Sequence, residues 1–442
     1  MVRRKIALVS MLLFLMVLLL SPWASAPTPS SPASADDPDE LQTLTLSPDV
    51  SEPADRPLAP VDLRVAAALK SSEFESLRRQ SEKQAYQFRD IRVSFVRIDP
   101  AAAYSAYANA SRVGEAADVM LMDNEWVKTF AVSGFLSPAD SAFAGDALSE
   151  QFDALVSPLR WNGYMWGVPR DFDPYVLLWN LDALRTIAGD SEASPPDQLA
   201  QWQELAAASQ ALESPLNWLA IGGSDPLALL YWVQAVTGET PELFRGDGNS
   251  WRDTPVGEAL ALLDLARSGV VFGRDLPEVV GALTSGDAAA AIVPYSEARK
   301  LADGRLPDVL LADLSAWKQA YVWPRGRSFV ISSRTKADDA ARRWIAAITE
   351  PDVQRDQLQD TGKLPVYQSL YREMDDRELA ALLSSGDAGA FPRSPLPDFG
   401  PDLPARLADL GGLWQDFAAG AMDAKSWVEQ TAKLSTDAKL DD

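Results

Sequence analysis

The 442-residue chain contains neither cysteine nor histidine. Without cysteine there are no disulfide bonds and no thiol nucleophiles. Without histidine there is no Ser-His-Asp catalysis, and almost every zinc, copper or haem site is excluded. Any chemistry must therefore depend on carboxylates, amides, hydroxyls, cations and aromatic rings. We expect no cofactor and no metal ligand among the candidate site residues, the alternative being a structural calcium ion bound by oxygen ligands elsewhere.

Positive charge is also scarce. The 40 Lys and Arg residues are outnumbered by 63 Asp and Glu residues, which gives a formal net charge of −23 and a sequence pI near 4.4. Because nucleic acid repels so acidic a chain, we expect no nucleic-acid partner. Hydrophobic residues make up 47% of the sequence, enough for a sizeable core. The composition predicts a folded protein, and the length predicts two or three domains.

The N-terminus has the pattern of an export signal. A cationic start at 3–5 precedes an apolar run at 6–20, and small residues follow up to Ala26. We predict a signal peptide at 1–26 with cleavage after Ala26, the alternative being an uncleaved membrane anchor. The acidic, proline-rich segment 27–60 is predicted to be a disordered linker. The protein is therefore expected to be secreted, in a periplasm or at the cell surface.

From residue 61 the sequence alternates between short β-branched runs and segments with helical spacing of apolar residues. Strands at 63–69 and 91–98 flank a helix at 74–88, which predicts a βαβ opening and an α/β fold. Further strands are predicted at 118–122, 175–179, 289–293 and 328–331, and further helices at 101–110, 195–212, 226–236, 256–268, 337–348 and 403–417.

Six segments occur in an order that is typical of one family. They are ADVMLMDNEWVKTFAVSGFLSPAD at 117–140, WNGYMWGVPRDFDPYVLLWNLDAL at 161–184, SPPDQLAQWQEL at 194–205, LTSGDAAAAIVPY at 283–295, SFVISSRTKADDAARRWIAAITEPDVQ at 328–354 and GKLPVYQSLY at 362–371. Together they resemble the extracellular solute-binding proteins of ABC importers, in the large sugar-binding group that includes maltose-binding protein. The resemblance covers most of residues 61–435.

The resemblance implies a periplasmic-binding-protein-like fold. Two α/β lobes, each a sheet flanked by helices, would be joined by hinge crossings and would close over a solute. Lobe one would comprise 61–168 plus 327–370, and lobe two would comprise 175–320 plus 390–442. The crossings would lie near 168–174, 321–327 and 371–390.

The same resemblance implies a function and its partners. The protein would capture a carbohydrate, such as an oligosaccharide, between its lobes and deliver it to the membrane subunits of an ABC importer. It would act as a monomer and would not be an enzyme. Many Gram-positive relatives carry a lipid-modified cysteine just after the signal, which this chain lacks. A surface protein of the same fold that reports to a signalling system is therefore an alternative.

Five candidate ligand residues lie in the first half of the chain. Glu125 and Trp126 follow the strand at 118–122, where the resemblance implies that a carboxylate accepts from solute hydroxyls and a ring stacks on the solute. The alternative is an exposed helix start. Arg170, Asp171 and Asp173 are expected in an exposed loop at the first crossing, with Asp173 as an acidic ligand. The alternative is that they are ordinary loop residues.

The remaining candidates belong to the second half of the chain. Tyr295 aligns with a stacking aromatic at a strand end, and Trp323 is either a cleft aromatic or a packing residue at the hinge. Asp225 begins a helix that would point at the cleft, or it only caps that helix. Trp218 and Trp232 are weaker candidates, because most of the 14 tryptophans have the spacing of core residues. Neither Trp126 nor Tyr295 is assigned to a core.

A glycosidase is the enzyme alternative. A glycosidase would need two carboxylates, for example Asp171 paired with Asp173 or with Glu125. Nothing in the sequence beyond the presence of these acids favours this reading.

Overall fold

The computed structural model describes residues 60–143, 147–238, 254–302, 310–318, 323, 325–374, 391 and 400–437. All of them belong to a unit that spans Leu58–Asp442. The predicted signal peptide, nearly all of the predicted linker and most of the predicted third crossing lie outside the described residues. Within those residues, no helix has both the length and the apolar character needed to cross a bilayer.

Strands and helices alternate along the chain. The strands are β1 (Val61–Ala68), β2 (Ile91–Ile98), β3 (Val119–Asp123), β4 (Leu136–Ser137), β5 (Arg160–Trp161), β6 (Tyr164–Met165), β7 (Val168–Phe172), β8 (Tyr175–Asn180), β9 (Leu219–Gly222), β10 (Val270–Gly273), β11 (Ala290–Pro294), β12 (Leu310–Asp313) and β13 (Gly326–Ser332).

The α-helices of the described residues are α1 (Ser71–Gln84), α2 (Ala103–Val113), α3 (Asn124–Val132), α4 (Asp153–Val156), α5 (Leu181–Ala188), α6 (Leu199–Ala211), α7 (Pro226–Thr237), α8 (Pro255–Leu265), α9 (Leu276–Thr284), α10 (Tyr295–Ala302), α11 (Asp338–Ile348), α12 (Pro351–Thr361), α13 (Leu403–Ala418) and α14 (Ala424–Asp437).

The strands form two main sheets. In the first, the order is β2-β1-β3-β13-β4 with β7 paired to β13, and β1 runs parallel to both β2 and β3. In the second, the order is β10-β9-β11-β8-β12, with β9 parallel to β10 and β11. The chain passes from the first sheet to the second at residues 173–174, between β7 and β8, and it returns between β12 and β13. The predicted lobe boundaries around these crossings stay predictions.

The first sheet is buried on both faces. Val65 and Leu121 belong to one hydrophobic cluster, whereas their chain neighbours Ala66 and Met120 belong to another. Because successive strand residues point to opposite faces, the two clusters lie on the two sides of this sheet. This explains why β3 is apolar at four consecutive positions, Val119–Met122, rather than alternating.

Tryptophan dominates the core of the second sheet. Trp179, Trp202, Trp218 and Trp232 form a chain of ring contacts with centroid distances of 5.1, 5.9 and 6.2 Å. All four side chains are fully buried. The helical spacing of apolar residues around Trp202, Trp344 and Trp414 predicts that these three are core residues, and their complete burial confirms it. We do not propose Trp218 and Trp232 as solute contacts, since they are part of this packing.

The predicted elements agree closely with the observed ones. The strand at Ile91–Ile98 is confirmed at both ends, and helix α7 begins at the predicted Pro226. Asp225 accepts a hydrogen bond from the backbone N–H of Leu227, and the helix ends at Gly238 with φ 69°. A side-chain cap, proline in the first turn and a left-handed glycine after the last turn are the expected signals of a helix start and end.

Candidate functional site

A cavity of about 420 Å³ lies between the two sheets. Its first wall comes from residues at or just after the C-terminal ends of β1, β2 and β3, such as Asp123. Its second wall comes from residues that follow β9, β10 and β11, at the starts of α7, α9 and α10. In open α/β sheets, ligands bind at the carboxyl ends of the strands. Here six strand ends converge on one space, which makes it the candidate site.

Charged side chains dominate this cavity. Six acidic and five basic residues line it, and Trp126 is the single aromatic among the described residues that do so. A second, larger cavity of about 680 Å³ lies on another face of α10 and is lined mostly by alkyl groups. We favour the first cavity because polar groups from both sheets converge there.

Asp123 and Glu125 form an acidic pair on the first wall. Glu125 Oε1 accepts a hydrogen bond of 2.5 Å from Trp323 Nε1. Burial, and after it the nearby charge of Asp123, raise the pKa of Glu125 to about 7, against the opposing effect of the Trp323 hydrogen bond. Burial also raises the pKa of Asp123, against the opposing effect of Arg327 and Arg325. No donor in the described residues contacts the Asp123 carboxylate, so its oxygens are available to a ligand.

A network of ion pairs forms the floor of the cavity. Glu73 accepts from Arg327 Nη1 at 3.0 Å and lies 3.2 Å from Lys363 Nζ. Behind them, Arg327 Nε and Nη2 donate to the two oxygens of Asp171 at 2.8 and 2.6 Å. Burial alone would raise the pKa of Glu73, but Arg327 and Lys363 outweigh it and lower this pKa to about 2. Glu73 is therefore ionised at neutral pH.

Arg170 and Asp171 lie behind this floor and do not line the cavity. Both side chains are fully buried, and Arg170 Nη1 donates to Asp171 Oδ2 at 2.9 Å. The prediction that they lie in an exposed loop is wrong, because Val168–Phe172 is strand β7 and is buried along its whole length. Burial on its own would raise the pKa of Asp171, but Arg327 and Arg170 hold this pKa well below its usual range. The two residues position Arg327 rather than face a solute.

Asp173 lies at the first crossing and borders the cavity. Its two carboxylate oxygens accept from the backbone N–H and the hydroxyl of Ser296, at 2.9 and 2.7 Å. Arg325 Nη1 donates to its backbone oxygen at 3.3 Å. Asp173 therefore fixes the start of α10 to the crossing, and its role as a solute ligand stays a prediction.

Asp225 caps a helix and also lies at the cavity, although the sequence suggested these two positions as alternatives. It caps α7 and also borders the cavity. Its second oxygen accepts a hydrogen bond from the hydroxyl of Tyr175. The capping role is confirmed, and a solute contact stays a prediction.

The three aromatic candidates have different environments. Trp126 is half-buried in the cavity wall, with its ring 5.5 Å from that of Tyr104. Trp323 is buried and is bonded to Glu125. Tyr295 is 5% exposed, packs 5.4 Å from the ring of Trp317 and borders the second cavity instead. The expectation that Tyr295 lies outside a core is therefore wrong.

Sequence reasoning missed several residues that line the cavity. Glu73, Arg327 and Lys363 are far apart in the chain, so their ion pairs leave no local signal. Arg325 has a left-handed backbone with φ 51°, and its guanidinium lies 4.2 Å from the ring centroid of Tyr175. Asp123 could have been found, because it ends a buried strand directly before helix α3, which contains Glu125.

The raised pKa of Glu125 predicts a pH-dependent stability. A carboxyl whose pKa is about 7 in the folded state and about 4.5 when unfolded stabilises the fold below pH 4.5, and this contribution is lost as the pH rises through 7. Glu125→Gln should therefore be more stable than the wild type by about 1–3 kcal/mol at pH 8 and equally stable at pH 4. Urea unfolding at both pH values measures this, with exposed Glu204→Gln as the control. A constant difference between the two proteins across this pH range would contradict it.

Residues 81–381 match the family described as bacterial extracellular solute-binding protein. The match spans more than half of the chain, and the chain belongs to this family. Its fold is the two-lobed solute-binding fold, with a sheet in each lobe and the cavity between them. No match was found among curated proteins.

Solved structures support the fold. The GacH receptor of Streptomyces glaucescens, solved unliganded and with acarbose, is 19% identical; the match covers 86% of this chain and 99% of that chain, with a TM-score of 0.69. The sugar-binding protein MalE from Xanthomonas citri is also 19% identical, with coverages of 84% and 96% and a TM-score of 0.66. Maltose-bound MalE3 of T. maritima is 16% identical, with coverages of 85% and 99% and a TM-score of 0.67.

Proposed function

We propose that this protein captures a saccharide in the cavity between its lobes. The observation that carries the proposal is the group formed by Asp123, Glu125 and Trp126 on the first wall. Two carboxylates with oxygens open to the cavity can accept from sugar hydroxyls, and an adjacent indole ring can pack against the apolar face of a sugar ring. Asp173 and Asp225 border the same space from the crossing and the second wall.

The similar structures support the ligand class. Among them are proteins solved with bound acarbose, maltose, maltotriose or lacto-N-biose. We infer that this chain binds a related polyhydroxylated solute without turning it over, and that it presents the solute to the membrane subunits of an ABC importer. Export through the signal at 1–26, with cleavage after Ala26, belongs to the same proposal.

Binding in this cavity predicts a measurable stabilisation. A panel of mono-, di- and oligosaccharides, each tested by thermal shift, should contain a ligand that stabilises the protein by about 2.7 kcal/mol at 100 times its Kd. Because both walls contact the solute only when the lobes close, the ligand should also reduce the radius of gyration in scattering.

Substitution of Glu125 tests whether the solute binds at the first wall. At pH 8, where Glu125 is mostly ionised, Glu125→Gln should weaken binding of the best ligand about 10- to 150-fold in calorimetry, since it removes a charged hydrogen-bond acceptor. The same substitution at exposed Glu204 should leave Kd unchanged. If Glu125→Gln binds as tightly as the wild type, the solute does not contact this wall. If no saccharide binds, the proposed ligand class is wrong.

A further inference from the structure

We propose that the solute is a saccharide with a protonated amino group, which binds to the acidic pair Asp123 and Glu125. This inference rests on the proposed function and adds the charge of the ligand to it. Three observations carry it. The pair has no cationic partner among the described residues, the basic residues of the cavity are paired elsewhere or exposed, and an indole ring lies beside the pair.

Asp123 directly precedes helix α3 but does not cap it. At the second wall, Asp225 accepts from a backbone N–H of α7, and Asp173 accepts from the backbone N–H of Ser296 in α10. Acidic residues at helix starts commonly bond to the free backbone N–H groups in this way. Asp123 makes no such bond, and no other donor in the part of the chain that the structure describes contacts its carboxylate. Its oxygens are therefore available to a ligand in the cavity that this residue lines.

Glu125 lies two residues further along the same wall. One of its oxygens accepts from Trp323, which is a neutral donor, and the other has no donor within the described residues. Burial, and after it the charge of Asp123, raise the pKa of Glu125. A cation bound between the two carboxylates would offset both the burial and the repulsion, whereas a neutral hydroxyl would offset neither charge.

The basic residues on the floor of the cavity do not compensate the pair. Arg327 uses Nε and Nη2 on the carboxylate of Asp171 and Nη1 on Glu73. The amino group of Lys363 also lies 3.2 Å from Glu73. Lys70, at the start of α1, is exposed to solvent. The floor is thus an ion network of its own, and the acidic pair lies outside it.

The remaining two cations are held near the second wall. The guanidinium of Arg325 lies 4.2 Å from the ring centroid of Tyr175, and its Nη1 donates to the backbone oxygen of Asp173 at 3.3 Å. Lys300 lies 3.7 Å from Glu297. The charges of the two arginines lower the pKa of Asp123, but burial outweighs them and this pKa stays raised. The negative charge of the first wall is therefore only partly compensated by the protein.

An ammonium group suits this wall better than a metal ion does. Ca²⁺ takes about six to eight oxygen ligands, and the described residues contain no group of three or more acidic side chains that could hold a metal ion. An ammonium group has three N–H donors, which can serve both carboxylates of the pair. Trp126 lines the cavity next to the pair, and the face of an indole ring attracts a cation.

Matched sugars that differ in one charge test the inference. We would measure Kd by calorimetry at pH 7 for glucose and galactose, for their 2-amino and 6-amino derivatives, for the neutral N-acetyl form of each amine, and for disaccharides of the same series. The best amino sugar should bind at least about 10-fold tighter than its hydroxyl and N-acetyl counterparts. Equal or tighter binding of the hydroxyl counterpart would overturn the inference and leave the proposed function intact.

Asp123→Asn tests whether the pair recognises the amine. The substitution removes one charge and no hydrogen bond between described residues, so the urea midpoint at pH 7 should be at least that of the wild type. The preference for the amino sugar over its hydroxyl counterpart should disappear in Asp123→Asn and persist in the exposed control Glu204→Gln. An unchanged preference in a folded Asp123→Asn protein would overturn the inference, because the amine would then bind elsewhere.

Failure of the proposed function gives a different result. In that case no sugar of the panel, charged or neutral, would bind to the wild type. Binding of neutral sugars that is weakened by Glu125→Gln at pH 8 would instead support the cavity as the binding site and reject only the charge of the ligand.

Discussion

An Asp171→Asn variant should lose about 3–5 kcal/mol of unfolding free energy at neutral pH. Asp171 is fully buried and compensates the charges of Arg327 and Arg170, which are themselves buried. Removing the carboxylate leaves Arg170 without a counter-charge and leaves Arg327 with Glu73 alone, so the desolvation cost of the two guanidinium groups is no longer fully offset. Urea unfolding at pH 7, followed by circular dichroism, measures the loss.

An exposed ion pair provides the matched control. Asp339 pairs with Arg343 at 3.1 Å, but its side chain is 89% exposed. Asp339→Asn should therefore change stability by less than about 1 kcal/mol. The pKa of Asp171 is held far below its usual range. Its contribution is therefore present above the unfolded pKa and is lost as the pH falls, so the gap between wild type and Asp171→Asn should narrow in acid. Equal urea midpoints at pH 7 for both substitutions would contradict the role given to Asp171.

The same ion network links the stability of the hinge to the electrostatics of the site. Asp171 and Arg327 are paired residues of β7 and β13, and these strands flank the two crossings of the chain. Arg327 reaches from this pair to Glu73 on the floor of the cavity. It also lowers the pKa of Asp123 against the effect of burial. A substitution at Asp171 should therefore alter both the unfolding free energy and the charge that a solute meets.

The fold could be predicted from the sequence because its signals are local. The β-branched run at Ile91–Ile98 and the capped helix that begins at Pro226 each specify their own secondary structure. The position of Glu125 could be predicted for a similar reason, since it directly follows a buried strand. By contrast, Glu73 and Arg327 are 254 residues apart, and their contact exists only in the folded chain.

Burial of charge was the hardest property to infer. Arg170, Asp171 and Asp173 just precede Pro174 in the sequence, and charged residues before a proline usually indicate an exposed loop. They are buried because Arg327 and Ser296 provide partners from distant segments. A single sequence shows the charges and does not show the partners, so the prediction of an exposed loop at these residues was wrong.

Tyr295→Ala should lose about 3–5 kcal/mol of unfolding free energy, which is the usual cost of removing a buried aromatic ring. The ring is 5% exposed and packs against Trp317, whose Nε1 donates to the backbone oxygen of Tyr175 at 2.7 Å. Tyr295→Phe keeps this packing and should restore most of the stability. Chemical unfolding of the wild type, Tyr295→Ala and Tyr295→Phe under identical conditions measures the three unfolding free energies.

Trp126→Ala should weaken saccharide binding and leave stability nearly unchanged, in contrast to Tyr295→Ala. Trp126 is half-buried in the cavity wall and belongs to a surface that a solute would cover. Its unfolding free energy should change by about 1 kcal/mol or less, while its affinity for the best saccharide should fall about 2- to 10-fold through the loss of stacking. Trp126 and Tyr295 are both aromatic residues near strand ends, so the sequence predicts the same stacking role for both. In the structure Trp126 is half-buried in the cavity wall, whereas Tyr295 is buried in the core, and this difference in burial cannot be read from the sequence. If Tyr295→Ala were as stable as the wild type and bound saccharide poorly, Tyr295 would be a ligand residue, and the first wall would not be the main stacking surface.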